Sequence, residues 1–176
     1  MLLHAPRPAR VRFPRSSSST APTPLGLHDL SELTRSVAEQ VRTGAHDVVL
    51  DPQQRWYRRL YADPFVDVWL ISWAVEQATE LHDHAGSLGA LTVVSGELRE
   101  QRWVPAERAL RTRRLRAGKG ATFALGHVHD VVNSEPRHAV SVHAYSPPLT
   151  AMSYYAVDAA GDLRRTRTVL TTGGSA

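Results

Sequence analysis

The chain contains no cysteine. That excludes a disulfide framework and a thiolate metal site. Any metal must be held by His, Asp or Glu, and any thiol chemistry belongs to a substrate. No apolar run approaches the ~18 residues of a membrane helix, so no membrane partner is expected. The missing cysteine is compatible with a reducing compartment, and a cytoplasmic location is the expectation. Lysine is nearly absent too: Lys119 is the only one among 21 basic residues. The first acidic residue is Asp29.

What is present is arginine. The net charge is +4 and the sequence pI about 9.9. Cations cluster in an N-terminal stretch (Arg7, Arg10, Arg12, Arg15) and in the segment from Arg108 to Lys119, and the rest are scattered. No helix carries a basic stripe interleaved with aromatics, so the charge reads as a solvated face rather than a nucleic-acid surface. Nothing in the sequence calls for an obligate protein partner.

The 176 residues suit one domain with one sizeable core. Residues 1–24 are rich in Pro, Ser and Arg, and are expected to form a disordered tail. Their Arg and Ser content faintly resembles a transit peptide, but a plain tail is favoured. Residues 25–176 are expected to form the domain. Leu27, Leu30, Leu33, Val37 and Val41 recur at helical spacing. Ser31 is the expected cap, Glu32 would lie in the first turn, and Gly44 would stop the helix. From Asp51 the chain becomes β-rich. Strands are expected over Val66–Val75, Ala90–Val94, Leu98–Val104, Ala139–Tyr145 and Ser153–Val157. Turn residues separate them at Asp63-Pro64, Ser95-Gly96, Pro105, Gly118–Gly120, Pro136 and Pro147-Pro148. Many short strands without intervening helices point to a sandwich or barrel.

The sharpest local feature is His82-Asp83-His84. Residues two apart on a strand share a face, so both imidazoles can reach one metal while Asp83 points away. Gly96 follows, then Gly118, Ala124, Gly126, His129 and Asn133. These spacings resemble the two cupin motifs. Gly89 stands where the first motif has Glu, and Ala124 where the second has Pro. The resemblance implies a mainly β cupin, a double-stranded β-barrel of jelly-roll type with an N-terminal helical segment. With the Glu gone, three neutral imidazoles remain: His82, His84 and His129. Such a set suits Zn, Fe, Cu or Ni on ligand chemistry alone. His127 also pairs with His129 as His-x-His, but the motif register selects His129, with Asn133 four residues beyond. His127 is then expected at the pocket rim.

A second constellation is Ser141, His143 and Tyr145, three polar side chains on one face of an alternating run. With it the chain resembles the cysteine dioxygenase family. The matching residues are His82-Asp83-His84 with Ser87, Gly96-Glu97-Leu98 with Glu100, His129 with Asn133, and Ser141 to Pro148. Tyr57-Arg58-Arg59 matches the family's Tyr-x-Arg. The likeness covers about residues 51–157. It implies Fe(II) held by His82, His84 and His129, with L-cysteine and O2 as the small-molecule partners and a sulfinate as product. It also implies that Tyr57 and Arg59 meet the substrate carboxylate, that Ser141, His143 and Tyr145 form a triad beside the metal, and that Ser146-Pro147 is cis. Animal members of the family carry a cysteine that crosslinks to the triad tyrosine. Gly89 occupies that position here, so Tyr145 is expected to be a free phenol.

Two rival readings stay open. One is a dioxygenase for 3-mercaptopropionate or another small thiol. The other is a metal-binding cupin without catalysis, which would not need the Ser141/His143/Tyr145 face. A hydrolytic zinc cupin would need a general base near the metal, and Asp83 is the only carboxylate close in sequence.

Overall fold

Period-two alternation shapes most of the chain. The computed structural model describes residues 10–12 and 23–171. The tail expected over residues 1–24 therefore lies mostly outside the described residues. Within it, Arg12 exchanges two backbone hydrogen bonds with the Gln40 side chain, at 3.0 and 2.9 Å.

Among the described residues one α-helix, α1 (Leu27–Arg42), precedes eleven strands. These are β1 (Trp56–Ala62), β2 (Asp67–Trp73), β3 (His82–Asp83), β4 (Leu88–Ser95), β5 (Glu97–Val104) and β6 (Ala109–Arg116). They continue as β7 (Gly120–Phe123), β8 (His129–Val132), β9 (Ala139–Ser146), β10 (Ala151–Val157) and β11 (Leu163–Leu170). Two antiparallel sheets result, in the orders β1-β2-β9-β4-β7 and β11-β10-β3-β8-β5-β6. They face one another as the expected double-stranded barrel.

Strand β9 shows how the layers are divided. Val140, Val142 and Ala144 point outward to α1, while Ala139 and Tyr145 point into the barrel. On β2, Val68 and Leu70 meet the helix, whereas Trp69, Ile71 and Trp73 fill the barrel. One core thus lies between the sheets and a second between α1 and the five-stranded sheet. Thr34 of α1 is fully buried, 2.9 Å from the Thr92 hydroxyl of β4.

The helix starts earlier than its expected Ser31 cap. Gly26 is the capping residue, and its carbonyl accepts the first helical bond from Leu30 at 3.0 Å. Leu30 is fully buried, and the turn that carries it is already helical. Asp29 lies in that first turn, where its charge complements the helix N-terminus. Gly44, with φ +83°, closes the other end as expected. Among the described residues no helix is long and apolar enough to cross a membrane.

Candidate metal centre

Strands β3 and β8 are neighbours in the six-stranded sheet, and His82 pairs directly with His129 across them. His84 follows β3 by one residue. The three imidazoles are all buried, with ring centroids 4.8–5.2 Å apart. One ring nitrogen from each lies within 4.8 Å of the others.

The far side of two rings is anchored. His82 Nδ1 donates to the Glu80 carbonyl at 2.7 Å, and His129 Nδ1 donates to Glu100 Oε1 at 2.9 Å. Those bonds leave the Nε2 lone pairs of both rings pointing inward. The buried Nε2 atoms of His84 and His129 have no hydrogen-bond partner among the described residues. Buried polar atoms are ordinarily paired, so converging orphans signal a bound group. Burial holds all three imidazoles neutral, with His82 pushed down to about 3. Neutral imidazoles with free lone pairs are the form that binds metal. The residues present therefore fit a transition metal held by three histidines.

A hydrogen-bonded chain runs beside this cluster. The Trp73 indole donates to Ser141 Oγ at 2.9 Å. Ser141 Oγ lies 3.0 Å from His143 Nε2, and His143 Nδ1 lies 3.3 Å from the Tyr145 hydroxyl. An indole can only donate, which directs the serine proton towards His143. The histidine proton then rests on Nδ1 and points at Tyr145, leaving the phenol's own hydrogen free to donate into the pocket. Burial pushes His143 down to about 3, so it is neutral. Burial and then the charge of Asp67 raise Tyr145, so it stays protonated.

The pocket in front of the histidines is lined by the Tyr145 and His143 rings, by Trp73, Ile71, Leu149 and Met152, and by Arg55. The position of the arginine differs from the sequence expectation. Tyr57 does face the barrel, edge-on to Trp69 at 6.0 Å. Arg59 shares that face of β1 but is exposed, and it does not line the pocket. It pairs in register with Trp69, whose indole fills the interior, and its guanidinium lies over that ring at 5.5 Å. Arg55, just before β1, reaches the pocket instead. Its guanidinium lies 5.0 Å from the Trp73 ring centre and donates to the Ala78 carbonyl at 3.2 Å. No local pattern marks Arg55, because it precedes the strand and only the fold brings it to the pocket.

His127 also departs from expectation. It does not line the pocket, and its Nε2 lies 3.1 Å from Glu100 Oε1, behind His129. Strand β8 begins at His129, so the two-residue alternation that would align His127 with it does not apply. Asp83 does turn away: its carboxylate accepts from the Tyr155 hydroxyl at 2.7 Å and from the Ala85 amide at 3.0 Å. The Ser146-Pro147 bond is cis.

The fold recurs in solved structures. One is the TT1209 protein of Thermus thermophilus, with 19% identity and a TM-score of 0.51, covering 57% of this chain and 90% of that one. Another is an uncharacterized conserved protein with a double-stranded β-helix domain from Klebsiella pneumoniae. It has 20% identity and a TM-score of 0.53, covering 61% of this chain and 84% of its own. No curated protein matches the chain in sequence. The family model described as cysteine dioxygenase type I matches residues 26–158. That span takes in α1, both sheets except β11, the three clustered histidines and the Trp73-to-Tyr145 chain, and the protein belongs to the cysteine dioxygenase type I family.

Proposed function

We propose that the protein is a thiol dioxygenase that converts L-cysteine and O2 to cysteine sulfinate, with Fe(II) held by His82, His84 and His129. The observation that carries this reading is the convergence of three buried, neutral imidazoles, two of which, His82 and His129, line a pocket that Tyr145 also lines. When bound, the metal supplies adjacent positions for the substrate sulfur and for dioxygen, which removes most of the orientation cost. Both oxygen atoms enter sulfur, so no external reductant is consumed.

The protein's own groups do the rest. Tyr145 donates its phenolic hydrogen to the substrate carboxylate or to the developing oxygen charge, and His143 and Ser141 hold it in that orientation. The apolar walls from Ile71, Leu149 and Met152 keep water out and strengthen each polar contact inside. Arg55 places a guanidinium at the pocket to meet a carboxylate, an arrangement that a guanidinium fork suits. Arg59 and Tyr57 of the family's Tyr-x-Arg pattern do not line this pocket, so Arg55 takes the carboxylate role in this reading. A storage or sensor cupin has no use for the donor chain ending at Tyr145.

One observation favours the second reading, 3-mercaptopropionate as substrate. The residues lining the pocket include no carboxylate to pair with a substrate ammonium. Anaerobic Fe(II) loading followed by oxygen uptake with cysteine, 3-mercaptopropionate and cysteamine separates the cases. Arg55→Gln should cut turnover of acid-bearing thiols about 30-fold or more, since an unpaired buried carboxylate costs roughly 2–5 kcal/mol. Arg59→Gln, at an exposed position, should do less. A tenfold preference for 3-mercaptopropionate would move the assignment to that thiol. A preference for cysteamine would remove the carboxylate role from Arg55.

A further inference from the structure

Glu100 is a buried carboxylate beside the histidine cluster that the reaction above leaves unused. It lies on β5, faces the barrel and is fully buried. An isolated carboxylate there would carry a severe desolvation cost. Three donors offset it. His129 Nδ1 and His127 Nε2 both donate to Oε1, at 2.9 and 3.1 Å, and Arg113 Nε pairs with Oε2. A carboxyl that meets three donors, one of them the Arg113 guanidinium, is placed as an ionised acceptor.

An ionised carboxylate can only accept. The shared Oε1 therefore requires a hydrogen on His129 Nδ1, which commits the His129 Nε2 lone pair to the side where His82 and His84 converge. The histidines are not equivalent in this respect. His82 donates to a neutral carbonyl, that of Glu80, whereas His129 donates to a full negative charge. A carboxylate on the distal nitrogen raises the basicity of a metal-binding imidazole. Arg113 stands directly opposite Glu100 in the β5–β6 register, at the half-exposed edge of the sheet. It occupies Oε2 and keeps the carboxylate from turning toward the cluster as a ligand in its own right.

We propose that Glu100 is the positioning residue that makes His129 the strongest donor of the three, and that Arg113 locks Glu100 in this role. The inference rests on the reading of His82, His84 and His129 as a metal site. It is tested on the full chain by anaerobic Co(II) titration, read as affinity and as the ligand-field absorption band. His129→Ala should abolish most binding. Glu100→Gln should weaken binding about 10–100-fold and shift the band, because an amide oxygen is a poorer acceptor than a carboxylate. Arg113→Gln keeps the carboxylate but releases Oε2, so it should weaken binding less than Glu100→Gln and still shift the band; an unchanged band and affinity would remove the locking role of Arg113. If Glu100→Gln binds Co(II) like the wild type with an unchanged band, the positioning role is wrong, even if the variant melts at a lower temperature. If His129→Ala still binds Co(II) fully, the metal-site reading falls first and this inference with it. A measurement on the unaltered protein guards against a variant that does not fold. In the Zn(II)-loaded chain, 15N resonances of His129 should show hydrogen on Nδ1, and hydrogen on Nε2 would refute the proposal.

Discussion

Gly89 and Tyr145 face each other across β4 and β9. A Cβ on Gly89 would lie 2.8 Å from the Phe123 ring and 2.9 Å from the Tyr145 ring. Both contacts are closer than real Cβ atoms tolerate, so a ring would have to move. The Tyr145 hydroxyl is held by His143 at 3.3 Å, and a ring shift would break that alignment. Gly89→Ala should therefore cost about 1–3 kcal/mol of stability through overpacking. It should also lower oxygen uptake more than it lowers metal content, because the atoms nearest the new methyl belong to the Tyr145 and Phe123 rings and not to a candidate ligand. Equal loss of metal and activity would show that the effect runs through the cluster instead. At this scale the sequence was informative wherever spacing alone decides geometry. His82 with His84, and Ser141/His143/Tyr145, follow from two-residue alternation, while His129 follows from the register of the second cupin motif, with Asn133 four residues beyond. Arg55 was illegible because a loop brings it to the pocket. The exposure of Arg59 was illegible because Trp69, its partner on the next strand, fills the space.

Among the described residues, α1 is the only α-helix, and it covers the five-stranded sheet on the face away from the pocket. Leu30, Leu33 and Val37 are buried to 0–1% against the outward side of β4 and β9. Leu33→Ala should cost about 2–5 kcal/mol, the usual range for a core leucine truncation. Since β4 and β9 separate the helix from the cluster, metal affinity should stay within a few-fold of the wild type. Denaturant unfolding beside a Co(II) titration checks both. A large loss of affinity would mean that the outer layer sets the position of β9 and, through it, the pocket. The helix was readable because its apolar stripe is strictly periodic. The edge strands β6 and β11 were not. Their sequences, with Arg111, Arg113, Arg114 and Arg116 on one and Arg164, Arg165 and Arg167 on the other, carry no aromatic residue and little of the apolar content that marks an inner strand. They are the two outermost strands of the six-stranded sheet. Charge on an edge strand discourages pairing with another molecule, so the same arginines that hide these strands in the sequence suit their position.

For the molecule as a whole, the buried titratable groups set opposing demands on pH. His82 and His143 are pushed down to about 3, chiefly by burial. Below pH ~6.5 the unfolded chain takes up protons that these folded histidines refuse. Each then removes up to about 1.4 kcal/mol per pH unit as the pH falls towards 3. Asp67 works the other way. Burial lifts it from 3.8 to about 6, while Trp69 and Arg59 pull it back. Its ionised form destabilises the fold above pH ~6, by about 3 kcal/mol, and that cost disappears as the pH falls from 6 to below 3.8. Two histidines outweigh one aspartate, so the metal-free protein should lose stability steadily from pH 7 to pH 4. Asp67→Asn removes the aspartate's part alone. The variant should be up to about 3 kcal/mol more stable than the wild type at pH 7. That advantage should shrink towards zero near pH 4, where the folded wild type holds Asp67 protonated. Urea unfolding of both chelated proteins across this range measures the difference directly. A gap that does not change with pH would show that Asp67 is not the titrating group. A variant less stable at pH 7 would show that the carboxylate, through the charge of Arg59 and the Trp69 indole, stabilises the barrel rim more than its burial costs.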